Sequence, residues 1–258
     1  MAVQYSEEID AFLDVLLTGI DERLGDRLVG AYLRGSLAAG DFDPESSDID
    51  VMAVTTRPVN DEEFHALAAL HTYMDTLPNA YAGRLEIAYV DRDALRRFQP
   101  GLRHPTLGQG ESLVWLEHGS NWILERWTLR EHGIVLRGPE PQELIDAISD
   151  EEIRSAILER LPDWAEWAQD VDDPEWALHL GHKAYVVETM CRALYAISQG
   201  TLPSKPQAVA WARTTVQEPW RSTVVRSATW HNSPTFDQSV VPEVRAFVLW
   251  VCSLPEIE

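Results

Sequence analysis

The sequence predicts an α/β unit followed by an all-helical one. Three observations carry this expectation. Residues 28–33, 49–54 and 84–90 read as apolar strands. Segments with helical spacing lie between and before them, in the order helix, strand, turn, strand, helix, strand. Beyond Pro141 only helical patterns remain. The chain has 258 residues, 45% of them hydrophobic, enough for two modest cores.

The first helix is expected over residues 6–24, where Ile9, Phe12, Leu13, Leu16, Leu17, Ile20 and Leu24 share one face. Ser6 is a natural N-cap, with Glu7, Glu8 and Asp10 at the positive end of the dipole and Gly25 as the stop. Strand 28–33 then runs into a Gly35-Ser36 turn. A loop rich in Asp, Pro and Ser leads to strand 49–54, followed by helix 61–77 and strand 84–90. Residues 100–122 give no clear pattern, because Gly, His and Pro interrupt it. Helices are expected over 141–148, 150–169, 175–199, 206–217 and 240–253, and the boundary between domains 1–138 and 139–258 is placed at Gly138-Pro139.

The 42 acidic and 21 basic residues give a formal charge of −21. Such a field repels nucleic acid and anionic membrane and suits a cationic partner. Cys191 and Cys252 have no metal-binding spacing and read as buried thiols. The first residues lack a signal-peptide pattern, and no run of about 18 apolar residues would span a membrane. A cytoplasmic protein is expected. Nothing in the sequence sets the oligomeric state; a monomer is the default.

The chemistry concentrates after the first strand. Small residues at Gly35 and Ser36 let backbone amides approach an anion, and the Ser36 hydroxyl adds a donor. A helix starting there would favour phosphate. In Ser47-Asp48-Ile49-Asp50 the two carboxylates are two residues apart at the start of a strand, so they project together while Ile49 faces the core. A hard divalent cation with oxygen ligands relieves their repulsion. Glu86 interrupts the apolar run Leu85, Ile87, Tyr89. If its strand lies beside that of Asp50, Glu86 joins the pair and can accept a proton from an attacking hydroxyl.

Gly35-Ser36, Gly40 and Ser47-Asp48-Ile49-Asp50 together resemble the motif of the DNA polymerase beta-like nucleotidyltransferase superfamily, over about residues 28–90. The resemblance implies a small mixed sheet with flanking helices, ATP as co-substrate and two magnesium ions. It makes Asp48 and Asp50 the metal ligands and Ser36 a phosphate contact, with Gly35 and Ser47 as further nucleotide-binding residues and Glu86 as a third carboxylate at the metal. Arg130-Glu131-His132, Gly138-Pro139 and Arg192…Tyr195…Lys205…Ala210-Trp211-Ala212 are similar to the aminoglycoside adenylyltransferases that modify streptomycin and spectinomycin. That likeness implies magnesium-dependent transfer of AMP from ATP to a drug hydroxyl with release of pyrophosphate. Glu86 then matches the catalytic base, Arg192 and Lys205 match phosphate-holding positions, and the helical domain closes over nucleotide and acceptor. A polycationic acceptor calls for carboxylates and aromatic platforms. Glu86, Trp115, Trp176 and His182 are the candidate acceptor contacts, His182 standing where the family carries an acidic residue. The alternative is a nucleotidyltransferase that acts on another small molecule or on a protein.

Overall fold

The computed structural model describes residues 6–254, which fall into two compact units, one through Ala147 and the other from Ile148. The expected boundary at Gly138-Pro139 precedes a short helix that groups with the first unit.

In the first unit, helix α1 (Glu7–Leu24) is capped by the Ser6 hydroxyl, which accepts from the Ile9 amide at 3.3 Å. Strand β1 (Leu28–Leu33) leads into the five-residue helix α2 (Gly35–Ala39), so the Gly-Ser turn is itself a helix start. Strand β2 (Ile49–Thr55), helix α3 (Asp61–Met74) and strand β3 (Leu85–Asp91) follow where expected, α3 ending three residues early. Helix α4 (Arg92–Arg96) and the strands β4 (Arg103–Leu107) and β5 (Val114–Glu117) occupy the stretch without a clear pattern. Pro105 lies inside β4, and Gly108 and Gly110 lie in the connection. Those residues hide a hairpin from sequence reading, because proline removes a ladder donor and is rare in strands. Helix α5 (Asn121–His132), strand β6 (Ile134–Arg137) and helix α6 (Pro141–Leu144) complete the unit.

Among the described residues the sheet has six strands in the order β5-β4-β3-β2-β1-β6. Only β2 and β3 pair in parallel; the other neighbours are antiparallel, which makes the sheet mixed. One face carries the core. Leu33, Val51, Ala53, Ile87 and Tyr89 cluster there with Phe12, Leu16 and Ile20 of α1 and Leu67, Leu70 and Met74 of α3. Beneath α3, His71 Nε2 and the Tyr89 hydroxyl are hydrogen-bonded at 2.9 Å. Because side chains alternate along a strand, Asp50 and Glu86 project from the other face.

The described residues of the second unit are helical and contain no strand. Helix α7 (Asp150–Gln169) has a Ser149 capping box. The expected helix 175–199 is broken into a 3-10 turn (Pro174–Ala177) and helix α8 (Leu180–Gln199). At the break, Leu180 and Gly181 donate their amides to the carbonyls of Thr235 and Ser233. Lys183, fully buried, donates to the carbonyls of Glu175, Trp176 and Leu178 at 3.2, 2.8 and 2.7 Å. Those long-range partners replace the helical ladder, and helical spacing alone does not reveal them. Helix α9 (Lys205–Thr215), helix α10 (Trp220–Ser227), absent from the sequence expectation, and helix α11 (Val241–Ser253) complete it. No helix among the described residues is long and apolar enough to cross a membrane.

Candidate active site

Strand register assembles the acidic cluster. In the parallel β2–β3 pair, Ile49 lies beside Leu85 and Asp50 beside Glu86. Adjacent parallel strands are about 4.8 Å apart, so the two carboxylates are direct neighbours on the same face. Asp48 precedes the strand, and its side chain is hydrogen-bonded to Glu86.

The loop that delivers Asp48 is tied at several points. Ser47 Oγ accepts from the Asp43 amide at 3.0 Å, and the Ser47 amide donates to the Asp43 carbonyl at 2.8 Å. Arg84 donates to the carbonyls of Pro44, at 2.9 Å, and Ser47, and lies over the Tyr81 ring. Ser47 thus shapes the loop as well as standing beside the cluster.

Gly35 begins α2 with φ of 62°, a conformation that favours glycine. The Ser36 hydroxyl is buried and has no hydrogen-bond partner in the protein. The first amides of a helix also lack partners within it. An oxyanion such as phosphate would satisfy both, and so the orphaned hydroxyl fits a phosphate contact.

The Glu86 carboxyl is pushed up to about 7, first by burial and then by Asp50 and Asp48, while Arg34 pulls it down. Arg34 is nine-tenths buried, with its guanidinium 2.5 Å from Glu125 Oε2 and 3.5 Å from Asp50 Oδ1. Burial alone would lower its pKa, but Glu125, Asp50 and Glu86 together raise it. Arg34 and Glu125 are site residues that sequence reading passes over. Arg34 looks like the end of a strand, and Glu125 is 91 positions away.

The donor set suits a hard divalent cation. Asp48 and Asp50 offer carboxylate oxygens, and Glu86, raised first by burial and then by these two neighbours, adds to a concentration of negative charge that a cation relieves. Among the described residues no group of three His, Cys, Asp or Glu side chains forms a metal cage by itself. Phosphate oxygens and water would complete the shell, as magnesium prefers.

Other candidates lie elsewhere. Trp115 of β5 pairs with Pro105 of β4, and its ring stacks on Phe64 of α3 with centroids 5.3 Å apart. It therefore packs on the core face, opposite Glu86, and is not brought together with the carboxylates. Sequence alternation cannot show which face an edge strand turns outward. His118 is stacked on Trp122, bonded to Thr106 Oγ1 at 3.0 Å, and pushed down to about 3 by burial, His104 and Arg34.

In the helical unit, Trp176 is buried, stacks on Trp167 at 4.0 Å and donates its indole N–H to the Asp170 carbonyl. A ring so enclosed is a core residue, and its reading as an acceptor platform is corrected accordingly. His182 is half-buried on the first turn of α8, with Nε2 3.4 Å from Glu175 Oε2. Burial lowers its pKa, with Glu175 opposing. Arg192 Nε donates to the Pro203 carbonyl at 3.1 Å, and Lys205 Nζ lies 4.8 Å from the centre of the Tyr185 ring. Both cations therefore belong to the corner between α8 and α9. Cys191 is buried and Cys252 partly so, and burial raises both thiols, Cys191 to about 12 and Cys252 to about 11.

The nucleotidyltransferase domain family matches residues 13–94, and the family described as aminoglycoside adenylyltransferase, C-terminal domain, matches residues 143–253. An aminoglycoside (3'')(9) adenylyltransferase from Rhizobium radiobacter is 31% identical over 219 residues, covering 80% of this chain and 76% of the relative. One from Shigella flexneri is 25% identical over 215 residues, covering 80% and 78%. Among solved structures, the spectinomycin adenyltransferase AAD(9) from Enterococcus faecialis, determined with ATP and spectinomycin, shares the fold. Its TM-score is 0.73 at 14% identity, covering 94% of this chain and 97% of that one.

Proposed function

This chain belongs to the aminoglycoside adenylyltransferase family, and on that premise we propose that it transfers AMP from ATP to a hydroxyl of an aminoglycoside-type antibiotic of the streptomycin and spectinomycin class, releasing pyrophosphate. The observation that carries the reading is the register of Asp50 beside Glu86, with Asp48 bonded to Glu86 and the Gly35-Ser36 helix start preceding them in the chain.

Glu86 is the base. A carboxyl that titrates near neutrality both accepts a proton readily and is ionised in a useful fraction of molecules. It takes the proton from the acceptor hydroxyl as that oxygen bonds to the α-phosphorus, and the bond from that phosphorus to the pyrophosphate oxygen breaks. Ser36 and the first amides of α2 hold phosphate oxygens. Asp48 and Asp50 would hold a magnesium ion, which when bound would supply positive charge to the phosphates. Arg192 and Lys205 are the further phosphate-binding cations.

Glu175 supplies the negative charge for the acceptor. Its carboxylate stands beside His182, at the position where an acidic residue is expected from the family resemblance, and a cationic acceptor group would sit against it. Burial lowers the pKa of His182, with Glu175 opposing, which favours the neutral ring.

The test is a mass-spectrometric screen. Purified protein, ATP and Mg2+ are incubated with streptomycin, spectinomycin and a metabolite pool. A mass gain of one AMP on either drug is the expected result. AMP found only on another metabolite or a protein moves the acceptor and leaves the enzyme class standing.

A further inference from the structure

Arg34 has a setting that none of these roles uses. It closes β1, and its amide donates to the Asp50 carbonyl at 3.0 Å, so backbone and side chain both face Asp50. Its guanidinium is held on two other sides. Glu125 of α5 accepts from it at 2.5 Å, and the Trp122 ring lies 5.9 Å away. Trp122 is itself backed by the His118 ring, stacked at 3.2 Å. The Nε of Arg34 is buried without a partner. The other oxygen of the Asp50 carboxylate, Oδ2, lies against the Gly35 backbone, 1.9 Å from where a Cβ would stand.

We infer that Arg34 is a positioning residue for Asp50: clamped by Glu125 and Trp122, its guanidinium draws Oδ1 of the carboxylate while Oδ2 abuts the Gly35 backbone, and the two together hold the carboxylate in place for the cation. The inference rests on the reading that Asp50 is a cation ligand. Geometry and charge pull in opposite directions here. Arg34 repels an incoming cation, because two positive charges then share one carboxylate. At the same time it fixes the carboxylate and offsets repulsion among Asp48, Asp50 and Glu86. A wide-open acidic pocket would bind bare metal more tightly and align it less well. Glu125 divides the guanidinium's charge; without it, Arg34 turns fully onto Asp50.

Two measurements separate these effects. Mn2+ is titrated alone into nucleotide-free protein and followed by electron paramagnetic resonance, and turnover is measured on the same preparations. Arg34→Met is expected to bind Mn2+ about threefold or more tighter while kcat falls about tenfold or more. Arg34→Lys is expected to return Mn2+ affinity to the wild-type value and to recover part of kcat. Glu125→Gln is expected to weaken Mn2+ binding about threefold with an unchanged melting temperature. A general structural defect would weaken binding and turnover together and lower the melting temperature, and that result overturns the inference. Wild-type Mn2+ affinity in both Arg34→Met and Glu125→Gln overturns it too. If Arg34→Met does not fold, Glu125→Gln decides: weaker Mn2+ binding at an unchanged melting temperature supports the inference, and wild-type affinity overturns it. Asp50→Asn serves as the control. Mn2+ binding that survives it removes the metal role of Asp50 and this inference together, whereas binding lost in Asp50→Asn but unmoved in the Arg34 and Glu125 variants overturns the inference alone.

Discussion

The carboxylate of Asp50 stands where residue 35 would carry its first side-chain carbon: a Cβ built on Gly35 falls 1.9 Å from Asp50 Oδ2 and 2.6 Å from its Cγ. Gly35→Ala therefore carries two costs. The φ of 62° strains an L-residue by about 1–2 kcal/mol. The methyl group also displaces the carboxylate, and misplacing a catalytic group by about 1 Å costs on the order of 10²-fold in rate. Urea unfolding should show a modest loss and steady-state assays a large one. A folded Gly35→Ala protein with wild-type kcat would show that Asp50 has no fixed task.

Glu86→Gln separates base from ligand. The amide keeps the shape but accepts no proton, so turnover should fall by about 10²–10⁴. ATP should still bind in calorimetry, since Asp48, Asp50 and Ser36 are untouched. Wild-type turnover in this variant would send the search for the base elsewhere. His118 is a poor successor, because its imidazole is pushed down to about 3.

Lys205→Ala and Arg192→Ala should each weaken ATP binding by about 1–3 kcal/mol, the range for a lost charge-assisted hydrogen bond. Arg192 also holds the Pro203 carbonyl, so Arg192→Ala should lower the melting temperature as well, whereas Lys205→Ala should not. Unaltered ATP affinity in both variants would remove the α8–α9 corner from the nucleotide site.

How much of this was legible in the sequence depends on the range of the interactions. Ser6 as a cap and the exact span of β1 follow from neighbours in the chain. The shared face of Asp50 and Glu86 follows from strand alternation, but their register does not, because it depends on how two distant strands pair. Arg34 carried a weak signal, a cation closing an apolar strand just before Gly-Ser. Its meaning lies in Glu125 and Trp122, far along the chain. Trp115 and Trp176 have the chemistry of an acceptor platform, but Trp115 packs partly buried against Phe64 and Trp176 is enclosed beside Trp167, contacts that composition does not reveal. The β4–β5 hairpin was masked by Pro105 and its glycines.

Stability should respond to acid through His71. Its pKa is pushed down to about 4, by burial first and Arg23 second, against about 6.5 in an unfolded chain. The folded state thus binds fewer protons than the unfolded one between those values. His71 contributes its full stability above about pH 6.5 and loses it as pH falls towards 4, by about 3 kcal/mol at most. Urea midpoints for the wild type and His71→Gln should converge as the pH is lowered through this window. Parallel curves would show that His71 does not titrate on unfolding.

The buried amine of Lys183 has a practical consequence. The chain contains two lysines, Lys183 and Lys205. The first is sealed from solvent, its amine committed to three carbonyls. In the native protein a water-soluble acylating reagent therefore meets one lysine side chain, that of Lys205. A fluorophore or crosslinker attached to a lysine side chain reports from the α8–α9 corner, and ATP held by Lys205 should shield it from labelling. Reagent uptake at Lys183 then becomes a clock for unfolding of the helical unit.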